Sequence, residues 1–178
     1  QLLDTDNNPV GPYISWQDQR AKELVPGEQR TWLEMMGELG GARVEDSGLP
    51  NFANTGCPLM AGYTAPHLFW LLHSNQLPAE VTGITAPEFV VSRLTDEQPV
   101  TDPTDAIGWG VFNVKQREWD FDLIDALGLP RSLLPPLAPS CSIAGHVSAD
   151  VSDQLGIRAG KPVAVASGDH QCSFAGTV

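Results

Sequence analysis

The sequence predicts an α/β domain, and three observations carry that expectation. Apolar residues recur at helical spacing in "EQRTWLEMMGEL" and again in "APHLFWLLHSN". A short continuous apolar run, Val163 to Ala166, leads into "SGDHQCSFAG", where small residues can open a helix. The chain is also long enough for one ordinary domain with a real core: 178 residues, 42% hydrophobic and 18% charged.

Taken in order, "DTDNNPVG" is turn chemistry, because Asp, Asn, Pro and Gly cluster ahead of an apolar run. "PYISWQD" reads as a short strand built from the β-formers Tyr13, Ile14 and Trp16. Two helical pieces follow, "QRAKEL" and "EQRTWLEMMGEL", divided by Pro26-Gly27. In the second, Trp32, Met35, Met36 and Leu39 make a core stripe that Gly40-Gly41 ends. "NTGCPLMAGY" is a Gly-containing connector, after which Thr64 can cap "APHLFWLLHSN" with Pro66 tolerated in the first turn. Leu68, Leu71 and Leu72 share a face that Phe69 and Trp70 widen, so this helix is expected to be well buried.

"APEFVVSRL" is a further apolar segment, helix or strand, and "TDEQPVTDPTDA" reads as a polar loop. Asp120 can cap "FDLIDALG", with Gly128 past its end and Pro130 beyond. Prolines force "LLPPLAPS" to be extended. "SADVSDQLGI" is a helix, "RAGKP" a tight turn, and Val163 to Ala166 a strand buried on both faces. That last junction places Asp169 at the carboxyl end of a strand, the edge where open α/β sheets bind ligands.

The formal net charge of −12 argues against nucleic acid and anionic lipid as partners, since both are bound by clustered Lys and Arg. No stretch approaches the roughly 18 apolar residues of a membrane span. Cys57, Cys141 and Cys172 are far apart, odd in number and form no C-x-x-C, which argues against zinc and a disulfide framework and fits a cytoplasmic location. No metal-ligand spacing occurs. The chain opens without Met or a secretory pattern and closes on "FAGTV", so both ends read as cut from a longer chain.

Two constellations could do chemistry. Asp169 lies between Gly168, which lets a ligand approach the backbone, and a helix whose N-terminus favours negative charge. Its carboxylate could take the proton of a hydroxyl attacking a phosphoryl group, or it could merely cap the helix. His170 and Gln171 could hydrogen-bond sugar hydroxyls or be polar first-turn residues. Cys172 reads as a packed thiol, because adjacent helical side chains point different ways. In "WQDQR", a strand would turn Trp16, Asp18 and Arg20 to one face. That face suits a polyol, with C–H groups on the ring and hydroxyls on the charges; a core Trp beside a surface ion pair is equally compatible. His67 and His73, on the apolar helix, read as structural.

Together these segments resemble the FGGY family of carbohydrate kinases, over Pro9 to Val178. "PYISWQDQR" is similar to the family's I-x-W-x-D-x-R strand. "GYTAPHLFWLL" resembles its x-[PST]-x-x-K-x-x-W signature, with His67 where Lys is usual. "SRLTDEQPVTDPTDA" resembles LTG…TD-x-[ST]-x-A, with Asp96 in place of Gly. "LLPPLAPSCSIAGHV" and "LGIRAGKPVAVASGDHQCSFAG" are similar to the LP-x-[LI]…G-x-[LV] and GL-x-x-G-x-PV…GD passages. Within the family, "DAIGWGVFN" and "GDHQCS" look most like the sedoheptulokinases.

The resemblance implies a ribonuclease-H-like, actin-like domain, incomplete at both ends. It lacks the leading D-x-G-T hairpin and the whole ATP-binding domain. It also implies transfer of the γ-phosphoryl group of ATP, with Mg²⁺, to a terminal hydroxyl of a ketose or polyol. Asp169 would be the general base, Trp16 would pack on the carbon skeleton, and His170 would touch substrate. Asp18 and Arg20 would join them as members of the same motif. A catalytically silent sugar-binding module is the alternative, as are xylulose, ribulose or glycerol in place of sedoheptulose.

Overall fold

The computed structural model describes residues 1–44, 48–56 and 58–177; Cys57 lies outside them. The chain opens with β1 (Leu2–Leu3) and β2 (Pro9–Val10), paired antiparallel across a turn in which the Asp4 carboxylate accepts the backbone N–H groups of Asp6 and Asn8. α1 (Trp32–Leu39) begins at a capping box, with Thr31 and Glu34 satisfying each other's backbone N–H. Next come the hairpin of β3 (Arg43–Val44) and β4 (Pro50–Asn51), then α2 (Thr64–His73). β5 (Thr82–Gly83) returns to β1, closing a small sheet in the order β2-β1-β5.

α3 (Ala86–Thr95) and α4 (Pro103–Ala106) follow, then the hairpin β6 (Phe112–Asn113) with β7 (Glu118–Trp119). α5 (Phe121–Ala126) is capped by Asp120, whose side chain accepts from Leu123 N–H, and Gly128 takes a left-handed φ of 69° beyond its end. β8 (Ile143–His146), α6 (Ala149–Leu155), β9 (Pro162–Ala164) and α7 (Asp169–Ala175) complete the chain. No helix of the described residues is long and apolar enough to cross a membrane.

The core joins α1, α2 and α5 to the β6–β7 hairpin. Trp109 and Phe112 both meet Trp119 edge-on, at 5.0 and 5.9 Å between ring centroids, and the Trp119 indole N–H donates to Pro135 O. Met36, Phe69 and Ile124 are wholly buried beside them. Of the α2 face read from the sequence, Leu68, Phe69 and Leu71 are buried, and Trp70 and Leu72 are half-buried.

Four expectations are corrected. Residues 13–18 form no strand. The Ser15 hydroxyl accepts Gln17 N–H and the Asp18 carboxylate accepts Arg20 N–H, so local side-chain bonds turn the chain instead. "QRAKEL" shrinks to a single 3₁₀ turn, Arg20–Lys22. The polar loop at 95–106 holds a buried helical turn, α4, capped by Asp102 with Pro103 in its first position. Finally, β9 is not buried on both faces: it pairs antiparallel with β8 alone, Ala164 is exposed, and burial resumes only at Val165 and Ala166. A two-stranded ribbon has one covered face, here against α3, where Gly145 leaves no room for a Cβ beside Thr95.

Beyond that ribbon the chain does run parallel to a neighbour. Thr101 bridges Leu137 on one side and Ala166 on the other, both in parallel. Segments 101–102 and 166–168 therefore lie side by side and each runs straight into a helix, α4 or α7.

Candidate functional site

A cavity of about 640 Å³ opens where these segments end, within the usual size range of small-molecule sites. Trp16, the start of α2, the β5–α3 junction, α4 and the first two residues of α7 line it. Three of the residues singled out in the sequence meet there: Trp16, Asp169 and His170.

Trp16 sits on the turn described above, 72% exposed, its ring facing open space rather than core. Its backbone is held from below by Gly62. A Cβ built on Gly62 would lie 2.1 Å from the Trp16 carbonyl oxygen, so only glycine lets the two segments touch. Asp169 is exposed and is the first residue of α7; the N-cap position belongs to Gly168, so Asp169 does not cap the helix. One of its oxygens accepts His170 N–H at 2.8 Å. His170, also exposed, follows it at the cavity mouth.

Asp18 and Arg20 do not line the cavity. They pair with each other, Arg20 Nη2 to Asp18 Oδ2 at 2.7 Å and Nε to Oδ1 at 3.0 Å, and the guanidinium lies 4.9 Å over the Trp70 ring. The Arg20 bond holds the Asp18 carboxyl down to about 2. Without a strand, the common face that was expected to gather Trp16, Asp18 and Arg20 does not exist. The pair instead braces the turn that carries Trp16.

His67 borders the cavity from α2, buried, with Nε2 3.4 Å from Asp18 O. Burial lowers its pKa, so the ring is neutral at pH 7. His73, half-buried, packs its ring against Phe69 at 4.2 Å between centroids and a 48° tilt, a structural place. Cys172 is a free, exposed thiol that does not line the cavity.

The sequence reading missed a second carboxylate in the cavity, Asp105. Its Oδ2 accepts the Thr85 hydroxyl at 2.6 Å. Burial raises its pKa, and the charges of Asp102 and Asp169 push in the same direction. Behind it lies Glu88, fully buried, its Oε2 accepting Thr85 N–H at 2.7 Å. Burial first, then the neighbouring Asp105, push the Glu88 carboxyl up to about 8, so it is protonated at neutral pH. Two sequence signals pointed here. Thr85-x-x-Glu88 has the capping-box spacing, and Asp102-Pro103 is a helix start.

The chemistry of the lining is that of a hydroxyl-rich ligand. An exposed indole offers a face for C–H groups, while Asp105 and Asp169 offer hydrogen-bond acceptors. Among the described residues that line the cavity there is no lysine or arginine, so it is a poor place for a polyphosphate. Among the described residues no cluster of three or more His, Cys, Asp or Glu could hold a metal ion.

Comparison with known proteins fits this geometry. The chain is 29% identical over 181 residues to a glycerol kinase of Thermococcus onnurineus (strain NA1), covering 98% of this chain and 32% of that protein. It is 27% identical over 178 residues to a xylulose kinase of Staphylococcus xylosus, covering 99% and 34%. The chain thus spans about a third of the length of the relatives it matches. Among solved structures, xylulose kinase from Rhodospirillum rubrum superposes with a TM-score of 0.75 at 23% identity, over 97% of this chain and 33% of that one. Plasmodium falciparum glycerol kinase gives 0.74 at 20%, over 98% and 33%. These likenesses show the fold, the actin-like α/β fold of the sugar kinases. The N-terminal-domain model of the FGGY family of carbohydrate kinases matches residues 1–176, and the chain belongs to that family.

Proposed function

We propose that these residues form the acceptor-binding part of an ATP-dependent carbohydrate kinase. The acceptor is a short polyol or ketose of the glycerol or xylulose type. The carrying observation is that an exposed indole and the Asp169 carboxylate open onto one cavity with no lysine or arginine among the described residues that line it. Trp16 packs on the carbon skeleton, and Asp105 and His170 meet hydroxyls. Asp169 accepts the proton of the hydroxyl whose oxygen attacks phosphorus, a role that needs only one well-aimed carboxylate in phosphoryl transfer. Asp18 and Arg20, proposed from sequence to touch substrate, act through the turn that presents Trp16.

ATP and Mg²⁺ do not fit the residues described. The carboxylate-lined cavity would repel a triphosphate, and the nucleotide is assigned to a second domain outside these residues. The relatives named above are glycerol and xylulose kinases, so sedoheptulose ranks behind those two acceptors.

The test is an ADP-release assay on the full-length protein with glycerol, xylulose, ribulose and sedoheptulose. Turnover with glycerol or xylulose is expected. Exclusive use of sedoheptulose would overturn the acceptor assignment. Acceptor binding without any ADP release would overturn the catalytic reading in favour of a silent sugar-binding module.

A further inference from the structure

The segment "TDPTDA" supplies Asp105 to the site, and the two residues that open it have no part in the chemistry above. Thr101 and Asp102 are both fully buried. The Asp102 carboxylate is saturated. Its Oδ1 accepts Thr104 N–H at 2.9 Å, the Thr104 hydroxyl at 2.7 Å and Asp105 N–H at 2.9 Å, while Oδ2 accepts the Ser167 hydroxyl at 2.9 Å. Burial opposes its charge, but these bonds, with one from Ser140, together hold its pKa below the ordinary value.

The Thr104 hydroxyl has one proton, and it is committed to Asp102. Its oxygen is therefore oriented as an acceptor, and it takes Gly168 N–H at 2.9 Å. Gly168 is the residue before Asp169. Its approach to α4 is closer than any side chain allows: a Cβ there would lie 2.7 Å from Thr104 O. Two hydrogen bonds and one backbone contact thus fasten residues 167–168 to a rigid, buried turn. The next residue is the exposed carboxylate of the site.

We propose that Thr104, locked by Asp102, is a positioning residue that sets where Asp169 points. A base must be held to within about half an ångström of its productive place, and an exposed side chain at the start of a two-turn helix depends on its backbone for that. This inference rests on the reading of Asp169 as the base.

The experiment compares Thr104→Val, Thr104→Ser and Asp169→Asn in the full-length protein, with glycerol or xylulose as acceptor. Valine keeps the shape but loses both hydroxyl bonds. It should lower kcat about 10- to 100-fold, the scale expected for a displaced catalytic group, while leaving the acceptor KM within about threefold. Serine, which restores the hydroxyl, should recover kcat to within about threefold of the native protein. If Asp169→Asn is inactive while Thr104→Val turns over at the native kcat, the positioning role is wrong and the base reading stands. If Asp169→Asn keeps its activity, the base reading fails and takes this inference with it. Equal loss in the Val and Ser variants also overturns it, since a hydroxyl is then not what matters. Should Thr104→Val not fold, Ser167→Ala decides the matter at an unchanged melting temperature: a lowered kcat at constant KM supports the role, and a native kcat overturns it.

Discussion

Consider the substitution Gly62→Ala. Gly62 borders the cavity and touches the backbone of Trp16, and the added Cβ would sit 2.1 Å from the Trp16 carbonyl oxygen and 3.1 Å from its carbonyl carbon. Contacts under 3.0 Å are essentially never realised, so the separation must open by most of an ångström. The atom in the way is backbone and has no rotamer to change. The motion therefore passes to the 15–18 turn, which the Asp18–Arg20 pair stiffens on its other side. Overpacking of this kind costs about 1–3 kcal/mol of stability. A displacement of this size beside the reacting groups is expected to cost about 100-fold in kcat/KM for the acceptor, or about 2.7 kcal/mol of transition-state binding. Steady-state kinetics at varied acceptor concentration measures it, with circular dichroism to follow folding. Gly37→Ala in α1 is the matched control: its Cβ meets only ordinary contacts, Ala42 Cβ at 3.5 Å and Leu59 Cδ2 at 3.9 Å. That change should stabilise by about 0.4–1 kcal/mol and leave kinetics alone. A Gly62→Ala protein with native kcat/KM would refute the claim that Trp16 is held in place from Gly62.

Other outcomes follow from the same geometry. Trp16→Ala should leave stability within about 0.5 kcal/mol, because the ring is exposed, yet raise the acceptor KM about tenfold; thermal melts and kinetics read the two separately. Glu88 carries a pH signature. Its folded pKa of about 8 lies above its unfolded value of 4.5, so its contribution is full below about pH 4.5 and is lost as pH rises toward 8. Glu88→Gln has no such proton to lose, so its melting temperature should fall less between pH 5 and pH 8.5 than that of the native protein; parallel slopes would contradict the buried protonated state. For Asp18 the sign is reversed. Its folded pKa of about 2 lies below its unfolded value of 3.8, so the pair stabilises above about pH 4 and fails as pH drops toward 2. Asp18→Asn should flatten that acid limb in a pH series of melts.

Much of the frame was legible because local rules agreed with packing. The Asp120 cap with Gly128 after it and the buried Leu68, Phe69 and Leu71 of α2 appear where spacing and capping chemistry put them, while the α1 stripe is buried at Trp32 and Met36 but leaves Leu39 exposed. What failed were segments whose fate depends on partners distant in sequence. "PYISWQD" has strand-forming residues but pairs with no strand among the described residues, and the Ser15 and Asp18 side chains bond nearby backbone N–H groups instead. "TDEQPVTDPTDA" reads as solvent-loving, yet Thr101 sits between Leu137 and Ala166, which buries Asp102 and hands its carboxylate four hydrogen-bond donors. The same distance effect explains the site. Asp169 and Trp16 could be named from the sequence, whereas for Asp105 the Thr85-x-x-Glu88 spacing and Asp102-Pro103 mark only helix starts; its place in the cavity is set by Thr85 and by that buried turn.

The central claim is that the Asp169 carboxylate takes a proton from a sugar hydroxyl held against Trp16. Asp169→Asn in the full-length protein tests it, read by ADP release and by quenching of tryptophan fluorescence on titration with the preferred acceptor. The account predicts a fall in kcat of about 10²- to 10⁴-fold, the typical worth of a general base, with acceptor affinity within about threefold of native. Native turnover, or loss of binding in step with loss of turnover, would contradict it.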